Sequence, residues 1–347
     1  MPEGSESFAY HACALYSGGS YRELARLKKN YGTFSEAKSN LPIPARLLEQ
    51  AQTSFDSFHT QDGRLILEHD AEYPALLREI SWAPFGLYLL GKLPPPDMTC
   101  LAVVGTRKTT PSGKETARSF SRTFAQKGVG IVSGLALGID AAAHVGALEA
   151  KGYTLAVLAT GVDHIYPRHH AGLAKQILEQ GGGILSEYPP GSPAFPYRFL
   201  ERNRIVSGIS QGTFVIEAPE RSGSLATARF ALEQNRSVFV LPGSATHPNF
   251  AGSHNLIRNG AELVTDPAHI LEALGLATVS APAQVPKGEN PDEEQILQAL
   301  TGSTAPLDID KIIELTNLET QVVTQTLGFL VLKNSVTETH GGYMIKN

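Results

Sequence analysis

The chain has 347 residues, 42% of them hydrophobic and 18% charged, which suits two or three folded domains and excludes global disorder. Its two cysteines, Cys13 and Cys100, stand far apart, which excludes a disulfide scaffold or a cysteine-rich zinc site and fits a reducing cytoplasm. The formal net charge of −5 argues at first sight against a nucleic-acid partner.

Taken in chain order, Met1 to Tyr10 is polar and acidic and lacks an apolar signal core, and no later run reaches the ~18 apolar residues of a membrane helix. A soluble protein is expected. Residues 1–62 read as a small helical domain, with helices over Phe8–Tyr16, Tyr21–Tyr31, Phe34–Ser39 and Ala45–Ala51. Ser17-Gly18-Gly19-Ser20 is a turn between the first two. Helix, glycine turn and helix suit either a helix–hairpin–helix or SAM-like module, which holds DNA phosphates through turn amides, or a plain packing domain.

Residues 63–278 form the second expected domain. Apolar runs at Leu101–Val104, Gly130–Ser133, Thr154–Leu158, Gly183–Ser186, Thr213–Ile216 and Ser237–Leu241 alternate with helical stretches. Those stretches are Ser112–Gly128, Ala141–Lys151, His170–Glu179, Phe199–Ser207 and Ser224–Gln234. Strands apolar on both faces that alternate with helices imply a doubly wound α/β domain with a mostly parallel sheet. Its ligand belongs at the carboxyl ends of the strands. Residues 279–291 read as a Pro/Gly linker. Residues 292–347 read as three helices, Glu293–Leu300, Asp308–Leu315 and Thr320–Leu332, and a hairpin turning at His340-Gly341-Gly342, the pattern of a winged helix.

Charge is unevenly spread. Residues 98–275 carry 16 Lys and Arg against 13 Asp and Glu, whereas 276–347 carry 4 against 9. The middle segment alone is net basic, and local cationic clusters matter more to DNA than total charge. Its first strand runs into Gly105-Thr106-Arg107-Lys108 and then a helix, a turn that offers free amides and fixed charge to a phosphate. An ordinary strand–helix turn is an equal reading from the residues alone. Neither a dinucleotide fingerprint nor a Walker loop is present, since Lys108 stands where the latter needs glycine.

Ser133 and Gly134 end the second strand. Ser133, Asp140 and His144 form at most a nominal hydrolase triad, because Asp140 is better placed as a helix cap. Gly208-Ile-Ser210-Gln-Gly212 matches G-x-S-x-G in the wrong order, helix before strand. No HExxH occurs and the histidines lack metal-site spacing, so no enzyme chemistry, metal or cofactor is expected. Between Tyr188 and Ser207, Arg198, Arg202 and Arg204 interleave with Phe195, Tyr197 and Phe199. Cations for phosphate beside aromatics for base stacking suit sequence-tolerant single-strand binding. Asn203 opens the same face. Gly223, Ser224 and Thr227 start the next helix, and Gly243 and Asn249 follow the last strand. Together these loops make an oligoanion-binding rim.

At these residues the chain resembles the DprA/Smf family of DNA-processing proteins. The matching segments are Val103–Arg107, Ser133–His144, Thr160–Arg168, Ser186–Ser192, Arg202–Ser210, Arg221–Gln234, Leu241–Ser244 and Gly252–Val264, with His69–Gly91 as the entry into the core. The resemblance implies a Rossmann-like domain that binds single-stranded DNA without sequence preference. It further implies protection of that DNA, dimers formed through the same domain, and loading of the RecA recombinase against single-strand-binding protein during natural transformation. The family's phosphate-binding motif carries over to Gly105, Thr106 and Arg107, and its strand-binding segment to Phe195–Arg204. The acidic winged helix suits a protein-binding or regulatory role. Two other readings stand beside this one: a phosphoribohydrolase-like enzyme with Glu217 as its carboxylate, and a winged-helix transcription regulator, which the acidic tail disfavours.

Overall fold

The computed structural model describes residues 5–276, 288–301, 303, 306–333, 335–339 and 342–345. The chain forms two compact units, one reaching Leu276 and one made of the residues after it. Of the expected linker, residues 279–287 lie outside the described residues, as do 340 and 341 of the expected hairpin turn.

The first unit is built on a nine-stranded sheet. Its strands are β1 Arg64–Leu67, β2 Gly86–Gly91, β3 Cys100–Gly105, β4 Gly130–Ser133, β5 Thr154–Val157, β6 Gly183–Ser186, β7 Gly212–Ile216, β8 Ser237–Val240 and β9 Glu262–Leu263. They lie in the order β1-β2-β6-β5-β4-β3-β7-β8-β9. All pairings from β6 to β9 are parallel, while β1 and β2 add an antiparallel edge. Six of these strands coincide with the six apolar runs. β1, β2 and β9 lie outside the strand–helix alternation from which the other six are read. The central strands are buried on both faces, which is why their sequences are continuously apolar.

In chain order the helices of this unit are α1 Glu6–Tyr16, α2 Tyr21–Tyr31, α3 Phe34–Asn40, α4 Ala45–Thr60 and α5 Ala75–Arg78. They continue as α6 Pro111–Gln126, α7 Ile139–Glu149, α8 Ala171–Glu179, α9 Pro196–Gly208, α10 Gly223–Glu233, α11 Ala251–Arg258 and α12 Pro267–Ala273. α2 and α3 start on S/T-x-x-E sequences, with Ser20 accepting from Glu23 N and Thr33 from Glu36 N. α4 runs beyond the expected Ala51, because Ala51, Phe55 and Phe58 recur on one face and are all buried. α9 starts at Pro196 and not at Phe199, since proline at the first helical position needs no amide partner.

The amino-terminal helices do not stand apart. Tyr10, Cys13, Leu24 and Phe34 share one core with Leu67, Tyr88, Leu158 and Ile184. Burying a ring such as Phe34 contributes roughly 1.5–3 kcal/mol. The division drawn near residue 62 is therefore a change of element type, not a break in packing. The sheet order reverses at β3, with β4 on one side and β7 on the other. That switch point opens a crevice outside the carboxyl ends of β3 and β7.

The second unit contains α13 Pro291–Thr301, α14 Ile309–Thr316 and α15 Thr320–Leu332, with β10 Val336–Thr339 paired antiparallel to β11 Gly342–Ile345. Ile296, Leu300, Ile312, Val323, Leu327 and Val336 form its core. α15 carries no Lys or Arg.

Two buried histidines predict how stability depends on pH. His11 bonds Tyr88 Oη at 2.9 Å and Ser54 Oγ at 2.8 Å, and His144 bonds Thr154 Oγ1 at 2.7 Å. Burial lowers their pKa values to about 4 and about 3. Both are neutral in the fold, whereas the unfolded chain binds protons below ~6.5. Their contribution is complete above that pH and is lost as pH falls, at ~1.4 kcal/mol per unit for each group. Unfolding at pH 5 should therefore cost about 2 kcal/mol less per histidine than at pH 7. Denaturant titrations at the two values check this, and equal midpoints would contradict it.

Candidate nucleic-acid interface

The crevice at the switch point is a groove of ≈ 660 Å³. The β3–α6 loop supplies Gly105 to Lys108, α9 supplies Phe199, Arg202 and Asn203, and the β7–α10 loop supplies Arg221 to Ser224 with Thr227 behind them. Gly134 also lines it. Arg107 and Lys108 are exposed. The Arg107 guanidinium lies 5.2 Å from the Phe199 ring centre, and Phe199 meets Tyr166 edge-on at 5.4 Å. A free cation, a half-buried ring and a second ring thus stand in a row. α10 begins at the groove, where Ser222 accepts from Ser224 N and the first helical amides favour an anion.

The cationic loop is held from below by Glu217. This residue follows β7 with φ of +51°, a left-handed conformation that non-glycine residues rarely adopt. Its buried carboxylate accepts from Thr109 Oγ1 at 3.1 Å, Thr110 N at 2.9 Å, Asn249 Nδ2 at 3.0 Å and Thr110 Oγ1. Burial pushes its pKa up, but the bonds from Thr110, Asn249 and Thr109 outweigh this and hold it below the ordinary value. A Cβ at Gly113 would collide with the carboxylate. Asn249 also donates to Lys108 O at 2.9 Å. The loops after β3, β7 and β8 are thereby tied into one support that leaves Arg107 and Lys108 facing out.

Several expected DNA contacts are buried and bonded within the fold. Arg198, Arg202 and Arg204 are 4%, 4% and 2% exposed. Arg204 makes a two-pronged pair with Glu187 at 2.7 and 2.6 Å and donates to Trp82 O at 2.9 Å. Arg198 donates to Gly18 O at 2.7 Å and Pro193 O at 3.1 Å. Arg202 donates to Val157 O and fills the space where a Cβ at Gly134 would stand. Burial lowers the Arg202 pKa to about 10, opposed by the nearby Asp140 carboxylate. Of the three, Arg202 alone borders the groove. Ser133 is buried and donates to Val103 O at 2.7 Å. Asn249 serves the support just described. Gly243 lies against the Phe250 ring and is not part of the groove wall. Phe195 faces away on the other side of its segment, and Asn203 borders the groove while bonding Gly223 O at 3.1 Å.

The nominal triad also dissolves. Asp140 is not the α7 cap, a position held by Gly138. Its carboxylate instead accepts from Gly134 N at 3.1 Å and Ala136 N at 3.4 Å, while His144 turns to Thr154. Tyr166, Arg221 and Ser222 border the groove and were not assigned from sequence. Arg221-Ser222 just before a Gly-Ser helix start was a readable signal for the second pair. Among the described residues no group of His, Cys, Asp and Glu could hold a metal, and no helix is long and apolar enough to cross a membrane.

A doubly wound sheet whose switch point carries a cationic loop, a helix amino-terminus and an Arg–aromatic row defines a Rossmann-like protein with a cationic, aromatic-lined groove at its strand ends. The family model for DNA recombination-mediator protein A matches residues 64–275, and that for the DprA winged helix domain matches 280–342. The chain belongs to this family of DNA-processing proteins.

It is 44% identical over 243 residues to Protein Smf of Escherichia coli, covering 70% of this chain and 64% of that protein. It is 37% identical over 285 residues to a putative DNA processing protein DprA of Mycobacterium tuberculosis, covering 77% of this chain and 73% of that one. The match therefore spans a little under two thirds of the length of the Escherichia coli protein. The crystal structure of DNA processing protein A from Streptococcus pneumoniae superposes with a TM-score of 0.64 at 32% identity, over 77% of this chain and 97% of that one. The Helicobacter pylori protein, whose structure describes a single-stranded DNA binding mode, superposes at 0.54 with 30% identity, over 60% of this chain and 98% of that one.

Proposed function

We propose that this chain binds and protects single-stranded DNA without sequence preference in the switch-point groove, and loads RecA onto it during natural transformation and recombination, acting as a dimer. The observation that carries the binding half is the Arg107–Phe199–Tyr166 row beside exposed Lys108 and Arg221. A cation on a ring takes a phosphate and lets a base stack beside it, and every base has a stacking face. The relative from Helicobacter pylori supports the same ligand. The RecA, single-strand-binding protein and dimer parts rest on the family.

A binding role fits the groove better than a reacting one. Glu217, the carboxylate an attack at a ribose would need, has its oxygens committed to Thr109, Thr110 and Asn249. The test is a fluorescence titration of the full chain with oligo-dT, oligo-dC and a duplex of equal length. The two single strands should bind within a few-fold of each other and at least tenfold tighter than the duplex. Equal affinity for the duplex would refute the reading.

A further inference from the structure

A second groove lies on the far side of the segment that walls the first. Residues of this segment alternate: Ala194, Pro196 and Phe199 border the switch-point groove, whereas Pro193, Phe195 and Tyr197 border the other. The second groove is ≈ 650 Å³ and has the α1–α2 turn, Ser17 to Ser20, as its opposite wall. Phe195 and Tyr197 are stacked there with their planes nearly parallel, 15° apart, and ring centres at 5.8 Å. They remain 41% and 53% exposed.

These rings rest on a built support. The Arg198 guanidinium packs 4.3 Å from the Tyr188 ring centre, 4.9 Å from Phe195 and 6.0 Å from Tyr197. Its bonds to Gly18 O and Pro193 O fix it to both walls. Two large rings held parallel in water at one site gain nothing for the fold that burial would not supply better. An exposed aromatic stack of this kind suits nucleobases, which can extend it whatever their identity.

Resting on the groove reading above, we propose that the single strand leaves the switch-point groove over the 193–199 ridge and that its next bases stack on Phe195 and Tyr197. The amino-terminal helices thereby form one wall of the DNA path. The occupant is the same strand because one segment, residues 193–199, lines both grooves. The platform adds base contacts and no phosphate contact, since Arg198 is buried behind the rings.

The experiment measures the affinity of the full chain for oligo-dT of increasing length, from about 4 to about 20 nucleotides, the span of one to several binding-fold sites. Two further oligonucleotides, each about as long as the longest, are made abasic over one end, one at the 5′ end and one at the 3′ end. Tyr197→Ala should bind the shortest oligonucleotide like wild type and the longest roughly tenfold more weakly. The Phe195→Ala/Tyr197→Ala pair should lose more for the longest. Tyr197→Phe should keep wild-type affinity, and melting temperatures should stay level. One of the abasic 20-mers should bind wild type about as weakly as the longest oligo-dT binds Tyr197→Ala.

A loss equal at every length, or none at any length, would overturn the proposal. So would full affinity for both abasic strands. An intact gain with length together with capture of a protein partner by the wild-type rings alone would assign the platform to protein docking instead. Absence of oligo-dT binding by wild type at every length would remove the groove reading itself, a result distinct from these.

Discussion

Arg107→Ala is expected to weaken oligo-dT binding by about ten- to a hundredfold at low salt and to flatten its salt dependence by roughly 0.7 in slope, the share of one phosphate on a single strand. Arg107 is exposed, and its planar cation lies against Phe199, so it is both charged and pre-positioned. The loop that carries it is held by the buried Glu217 and Asn249 support, so little ordering remains for the ligand to impose. Arg107→Lys keeps the charge but loses the flat stack and should fall between. Lys108→Ala removes a solvated charge with no ring beneath it and should cost only a few-fold. Titrations at several salt concentrations distinguish these outcomes. Wild-type affinity and slope in Arg107→Ala would remove the loop from the site.

Arg204→Ala should instead act on the fold. Glu187 would be left buried without its cation, and breaking such a pair costs about 3–5 kcal/mol. Total stability of a domain is about 5–15 kcal/mol, so the loss is a large fraction of it. The same change frees the carbonyl of Trp82, which Arg204 Nε now satisfies. Arg204→Met combined with Glu187→Gln removes both charges and keeps most of the volume, so it should recover part of the loss. Denaturant midpoints of the single and double variants, read as a cycle, measure the coupling. A wild-type midpoint in Arg204→Ala together with lost DNA binding would return this arginine to the DNA contacts.

The contrast between these two arginines marks the limit of what sequence alone made legible. Both sit in motifs that pair cations with aromatics. Arg107 follows a strand and precedes a helix, so its exposure at a strand end could be read locally. Arg198, Arg202 and Arg204 lie on α9, and among their partners are Gly18, Val157, Trp82 and Glu187. Three of those four partners are 45 to 180 residues distant, beyond any local pattern. A buried arginine has the same spacing as a surface one until the chain that surrounds it is placed. Glu217 shows the same thing in reverse. It read as a possible reacting carboxylate, but the threonines and asparagine that occupy it come from two other loops.

What the sequence by itself determined was the alternation of apolar runs and helices, and hence the parallel sheet, the strand-end edge at which the groove opens and the basic character of that segment. Those features follow from periodicity, burial on both faces and composition, all of which are local or additive. The tertiary structure decided which charges remain free. It also merged the amino-terminal helices into the sheet's core and set two grooves on either side of one ridge. Desolvation is the physical reason: an arginine leaves water only where distant carbonyls and carboxylates replace its hydration, and their positions are a property of the folded chain.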